Sequence, residues 1–276
     1  MDFDAIVLSG GGLSGFSQLG FLKELQEANK LTPVRKFFGT SIGALIATCT
    51  IVGIPVDKIM SKLMVVDDKL LKVGDLSHLF TKYGLDDGEF FMATIIDLFL
   101  ENGVNPLLTF AGLVSIKKQL FISVVNLSRN KVEYFSHLTV PNMKILDAVR
   151  VSISIPILLD SKQVNGEYYV DGGLLDNYPM EIAKMNSLNP IGCFTETMTP
   201  VKINSFETFM YNLAVCTLCK SHPICDKTVF VSNTATSSFN FNADVKTRES
   251  LFIQGRISTK NYLAQKRRVK LRRKSI

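Results

Sequence analysis

Tryptophan is absent from the 276 residues, and histidine occurs only at His78, His137 and His222. Any imidazole base or histidine-rich metal centre must be drawn from those three positions. Cysteine is scarce and odd in number, at Cys49, Cys193, Cys216, Cys219 and Cys225, and the opening MDFDAIVLSGGG lacks the basic start and cleavage site of a signal peptide. No disulfide framework is expected, and the compartment reads as reducing, intracellular and cytoplasmic. Gly 18 and Pro 9 are ordinary usage beside 46% hydrophobic residues, which excludes collagen-like, low-complexity and disordered chains. The length allows one large domain or two small ones.

A general cationic excess is missing as well. Eight of the 31 Lys and Arg fall after residue 259 with no acid among them, and the other 23 face all 25 Asp and Glu. That leaves the body of the chain near −2, so no nucleic-acid footprint is expected on it. One uncharged run, residues 37–56, is long enough to span a bilayer. It holds Gly39, Thr40, Ser41, Gly43, Thr48, Thr50, Gly53 and Pro55, and reads instead as a strand end, a tight turn and a buried helix. No transmembrane helix is expected.

Ala5 to Leu8 is a short apolar run ending in Ser9-Gly10-Gly11-Gly12, and Phe16, Leu19, Leu22 and Leu25 follow at helical spacing. Val34 to Phe38 and the apolar segment to about Gly53 repeat this strand, turn, helix order. Two such units predict a parallel α/β sheet with functional groups at the strands' C-terminal ends. The stretch from Pro55 to about Lys118 is mostly helical in pattern. Within it, residues 89–100 are apolar nearly all round, as in a deeply buried helix or one that meets lipid. Residues 120–127 and 131–135 flank Ser128-Arg129-Asn130 as a β-hairpin. A short helix over 146–151 stops before Pro156, a strand over 167–170 delivers Asp171, and 190–195 and 228–232 suit further strands. Helices are expected around 206–218 and 248–264, with no repeat, linker or domain boundary.

Gly39-x-Ser41-x-Gly43 lies between an apolar strand and an apolar helix, the context of a nucleophile elbow. A serine on such a turn has a strained backbone and needs small neighbours, and its hydroxyl projects above the sheet. The plain alternative is a serine that only caps the helix. Gly10-x-Gly12-x-x-Gly15 also fits a dinucleotide fingerprint, but that requires an acid at the end of the second strand. Phe38-Gly39-Thr40-Ser41 contains none. With Ser41 as nucleophile, the glycine loop supplies the Gly11 and Gly12 amides to an oxyanion.

The order Ser41, Asp171, His222 matches a hydrolase triad, yet Ser41 follows only two strands and His222 lies in a segment with no strand end before it. Asp171 ends a strand, and Gly172 and Gly173 after it permit close packing. An exposed carboxylate, with pKa about 3.9, is a poor base for serine, so Asp171 must be buried near Ser41. Cys216, Cys219, His222 and Cys225 have a spacing that zinc or an iron–sulfur cluster could use. Cys216 and Cys219 also continue an apolar helical run with Phe209 and Leu213, which favours plain packing over a metal.

Residues 10–15 (GGGLSG), 39–44 (GTSIGA) and 171–179 (DGGLLDNYP), with Ser152-Ile153-Ser154-Ile155-Pro156 before them, resemble the patatin-like phospholipases over roughly residues 4–195. The resemblance implies a three-layer α/β fold with a largely parallel central sheet. It implies a Ser41–Asp171 dyad without histidine, an oxyanion hole in the glycine loop, and hydrolysis of acyl esters in lipids without metal or cofactor. Many relatives carry Arg or Lys where this chain has Ser14, a cation suited to a phosphate headgroup. Its replacement bears on phospholipid preference more than on ester chemistry.

The expectation is one domain over residues 1–264 and a basic tail over 265–276, the domain cleaving a lipid or phospholipid at a membrane surface. Competing readings are a general esterase or acyltransferase with the same dyad, a non-catalytic lipid-binding protein, and a nucleotide-binding protein. In the tail, Arg267, Arg268, Lys270, Arg272, Arg273 and Lys274 suit a solvated helix end, a nuclear address or contact with anionic lipid.

Overall fold

Ala5–Leu8 form β1, and all four residues are buried. Alternate β1 side chains enter opposite cores: Ile6 and Leu8 face one, Ala5 and Val7 the other. A strand covered on both faces must be apolar throughout, which is why its sequence shows a run and no alternation. The computed structural model describes residues 3–65, 76–196, 202–203, 209, 212, 225–232 and 243–274. Among them, β2 (Lys36–Thr40), β4 (Gln119–Asn126), β9 (Pro190–Glu196) and β10 (Thr228–Ser232) run parallel to β1 in the order β10-β9-β1-β2-β4. β5 (Lys131–Phe135) closes the expected hairpin on β4, and β8 (Glu167–Asp171) runs antiparallel to β4, with β7 (Lys162–Val164) outside it. A separate pair joins β3 (Gly84–Asp86) to β6 (Ile157–Leu159). The three-residue strands β3, β6 and β7 are too short to carry a period that sequence reading could detect.

The helices are α1 (Gly15–Glu27), α2 (Ile42–Ile51), α3 (Val56–Met64), α4 (Leu76–Lys82), α5 (Glu89–Glu101), α6 (Phe110–Ser115), α7 (Ile145–Ser152), α8 (Met180–Asn186) and α9 (Val245–Lys274). The larger apolar cluster joins α1, α2, α3, α5, α6 and α7 to one face of the sheet. On the other face, Met180 and Ala183 of α8 and nearby Tyr178 cover Val7, Phe38 and Phe121. Helices, a mostly parallel sheet and helix thus make three layers, as expected.

α5 departs from its sequence pattern. Ile95, Leu98 and Phe99 are buried, whereas Phe90, Ile96 and Leu100 are exposed, so the helix is half-covered instead of deeply buried. Residues 37–56 form the end of β2, a turn and the buried α2, and no helix among the described residues is long and apolar enough to cross a membrane. The basic stretch from residue 265 continues α9. There Lys266 pairs with Asp226 at 3.2 Å, while Arg267 and Arg268 are exposed. The helix expected over 206–218 lies almost wholly outside the described residues, as do Cys216, Cys219 and His222.

Candidate active site

The site arises from one edge of β4. On that edge β2 pairs with its first half, ending at Thr40 opposite Ser123, and β8 pairs with its second half, ending at Asp171 opposite Val124. β5 occupies the other edge, so β2 and β8 approach each other end to end along the same side. Two strands of opposite direction thereby deliver Ser41 and Asp171 to one point, although 130 positions separate them in sequence.

Ser41 has φ 54° and ψ −125°, outside the regions L-residues favour, at the sharp turn between β2 and α2. The turn closes only because its neighbours lack side chains. A Cβ at Gly39 would lie 2.6 Å from the backbone of Ala44, and one at Gly43 would lie 2.6 Å from the carbonyl of Leu8. The serine caps nothing through its side chain. Its hydroxyl lies close enough to the Asp171 carboxylate to favour the ionised form, and that carboxylate accepts the amide of Gly173 at 2.7 Å. Asp171 is 2% exposed, and burial pushes its carboxyl up to about 7, against the opposing pull of the nearby Ser41 hydroxyl and the Gly173 amide. The carboxyl thus titrates near neutral pH, the range suited to a general base.

The glycine loop comes to the same place. Gly10 donates its amide to the Asn177 carbonyl at 2.9 Å, and a Cβ on it would lie 3.4 Å from Cβ of Ser41. Gly11 and Gly12 follow at φ 154° and 51° as the chain turns into α1, and Gly15 packs against Ile42. Ser14 is fully buried in this turn, so it offers no exposed group in place of a basic side chain.

Several groups that sequence reading left without a role brace the pair. The Asp176 carbonyl accepts Thr40 Oγ1 at 3.0 Å and Ser123 Oγ at 3.2 Å, and its carboxylate accepts the Tyr134 hydroxyl at 2.6 Å. Gly172 lies so close to the Ser123 carbonyl that a Cβ would collide with it. Asp176 was visible as part of the segment after Asp171, whereas Tyr134 gave no signal in the hairpin. His137 lies edge-on to Phe121 at 5.8 Å, in the layer of the smaller core. The described residues contain no group of three or more His, Cys, Asp and Glu able to hold a metal ion.

Residues 6–184 match the model of the patatin-like phospholipases, well over half of the chain. Protein R571 of Acanthamoeba polyphaga mimivirus is 30% identical over an alignment of 280 residues, covering 94% of this chain and 93% of that one. "Probable lipid hydrolase 463L" of Invertebrate iridescent virus 6 is 29% identical over 188 residues, 66% of this chain and 63% of the relative. Among solved structures, VipD from Legionella pneumophila superposes with a TM-score of 0.67 at 19% identity, over 96% of this chain and 67% of VipD. The type III effector ExoU of Pseudomonas aeruginosa gives 0.51 at 18% identity, over 95% of this chain and 53% of ExoU. These structures share the fold, and the chain spans only part of each. By the match of its sequence to the family model, the chain belongs to the patatin-like phospholipases, a family of carboxylic ester hydrolases, and is a lipid hydrolase of that family.

Proposed function

We propose that the chain cleaves fatty acyl esters of membrane lipids through an acyl-enzyme on Ser41, with Asp171 as the base. The observation that carries this reading is a serine on a strained turn set beside a buried carboxylate, where the ends of β2 and β8 meet on one edge of β4. In the first half-reaction Ser41 Oγ attacks the ester carbonyl while its proton passes to the Asp171 carboxylate. The tetrahedral oxyanion takes hydrogen bonds from the Gly11 and Gly12 amides. Collapse breaks the bond to the alcohol, which leaves with the proton held by Asp171. In the second half, Asp171 takes a proton from water as the hydroxide attacks the acyl carbon, and Ser41 recovers a proton when the fatty acid departs. The basic C-terminal part of α9 suits recruitment to anionic lipid through Arg267, Arg268, Lys270, Arg272, Arg273 and Lys274.

The test is fatty acid release and fluorophosphonate labelling with a panel of lipid esters. Ser41→Ala should abolish both while the melting curve stays cooperative. Asp171→Asn should cost about a thousand-fold or more in turnover, the scale of losing the proton acceptor of a serine nucleophile. His222→Ala should stay within a few fold. Turnover retained in folded Ser41→Ala refutes the reading, and an equal loss in His222→Ala would replace the dyad by a triad.

A further inference from the structure

The segment Ser152-Ile153-Ser154 reaches both members of the pair through their backbones. The amide of Ser41 donates to Ser152 Oγ at 2.9 Å, and the Ser152 hydroxyl donates in turn to the carbonyl of Ser123 at 2.8 Å. Two residues on, the carbonyl of Ser154 accepts the amide of Asp171 at 2.9 Å. Both serines are fully buried. The second arm is anchored in turn: Arg150 Nη1 donates to Ser154 Oγ at 2.8 Å, and that hydroxyl returns a bond to the Arg150 carbonyl at 3.0 Å. The Arg150 guanidinium also binds the carbonyl of Asp87 at 2.6 Å, which ties the segment to the turn before α5.

We infer that Ser152 is a positioning residue for the reaction: its hydroxyl holds the amide of Ser41, and so aims the Ser41 hydroxyl at Asp171, which the same segment holds through Ser154. This rests on the dyad reading above. The strained backbone of Ser41 needs such a hold, because a residue in an unfavoured conformation relaxes unless its surroundings over-determine it. A hydroxyl that accepts on one side and donates on the other fixes the amide in distance and in direction. Alanine at 152 removes both bonds and leaves a buried N–H and a buried carbonyl each short of one partner.

The experiment compares wild type, Ser41→Ala, Ser152→Ala and the near-isosteric, weakly hydrogen-bonding Ser152→Cys. The readouts are kcat, KM, the rate of fluorophosphonate labelling and the pH profile of kcat/KM. Ser152→Ala should lower kcat and the labelling rate by about a hundred-fold, the cost of an ångström-scale misplacement, with KM little changed. Ser152→Cys should fall between it and wild type. The nearby Ser41 hydroxyl favours ionised Asp171, so a drifting serine raises the Asp171 pKa and moves the acid limb to higher pH. A loss of stability alone would leave that limb in place. Folded Ser152→Ala with kcat within twofold of wild type, or with an unshifted limb, overturns the inference. If that variant does not fold, Ser152→Cys is judged by the same two criteria. Wild type that goes unlabelled, or labelling that survives in Ser41→Ala, overturns the dyad and this inference together. Normal wild-type labelling that Ser152→Ala and Ser152→Cys match overturns the positioning role alone.

Discussion

Asp171 joins two properties that pull against each other. Burial raises its carboxyl to about 7, and to act as the proposed base the group must be ionised. The rate of ester cleavage should therefore rise with pH along a limb near 7, as the carboxylate forms. Stability should respond in the opposite sense. The folded protein holds the Asp171 proton to about pH 7, whereas the unfolded chain releases it near the ordinary value of 3.8. Between these limits the native state binds more protons, so this group's contribution to stability falls as pH rises through the window and levels off above it. Asp171→Asn carries no ionisable group, so its urea midpoint should lose less than that of wild type from pH 4 to 8. A variant whose midpoint falls as steeply as wild type over that interval would place the titration elsewhere.

α1 and α9 meet more closely than ordinary side chains allow. A Cβ on Gly255 of α9 would run into the Ser17 carbonyl of α1, and one on Gly20 of α1 would run into the Phe252 carbonyl of α9. Arg256 adds an ion pair across the seam to Glu24 at 3.1 Å. Gly255→Ala should destabilise the fold by about 1–3 kcal/mol, the usual cost of overpacking a tight contact. The measurement is a urea midpoint with turnover per folded molecule, which should be unchanged because the nearest neighbours of the two glycines are Ser17, Phe252 and Arg256, not Ser41 or Asp171. A stability gain, from the better helix propensity of alanine, would show that the helices can part without cost. α5 shows how such packing overrides local pattern. Residues 89–100 are apolar nearly all round, yet only the side bearing Ile95, Leu98 and Phe99 meets the core.

The charge of the chain is segregated, with the body slightly acidic and the last turns of α9 basic. Each basic residue near an anionic bilayer contributes about 1 kcal/mol, screened by salt. Changing Arg267, Arg268, Lys270, Arg272, Arg273 and Lys274 to Gln should sharply reduce co-sedimentation with anionic vesicles at low salt. Neutral vesicles should show almost no difference, and hydrolysis of a soluble short-chain ester should be unchanged. Equal binding of both forms to anionic vesicles would assign the tail to another partner or to none.

The residues of the candidate site were legible because their chemistry demands local sequence. A turn as sharp as that at Ser41 requires small neighbours, so Gly39 and Gly43 announce it, and Gly172 announces the close approach after Asp171. The alternating units of apolar strand, turn and helix likewise foretold the parallel part of the sheet, since strands covered on both faces must be apolar throughout. Nothing local could foretell what Ser152 and Tyr134 do. Ser152 meets Ser41 from 111 positions away, and Tyr134 meets Asp176 from 42. Those meetings exist because β8 runs antiparallel into the end of β2 on a shared edge of β4. A hydroxyl can bond to many partners, and only the path of the chain selects which one it reaches. The basicity of Asp171 has the same origin, because the burial that sets it comes from packing around the residue and not from its neighbours in sequence.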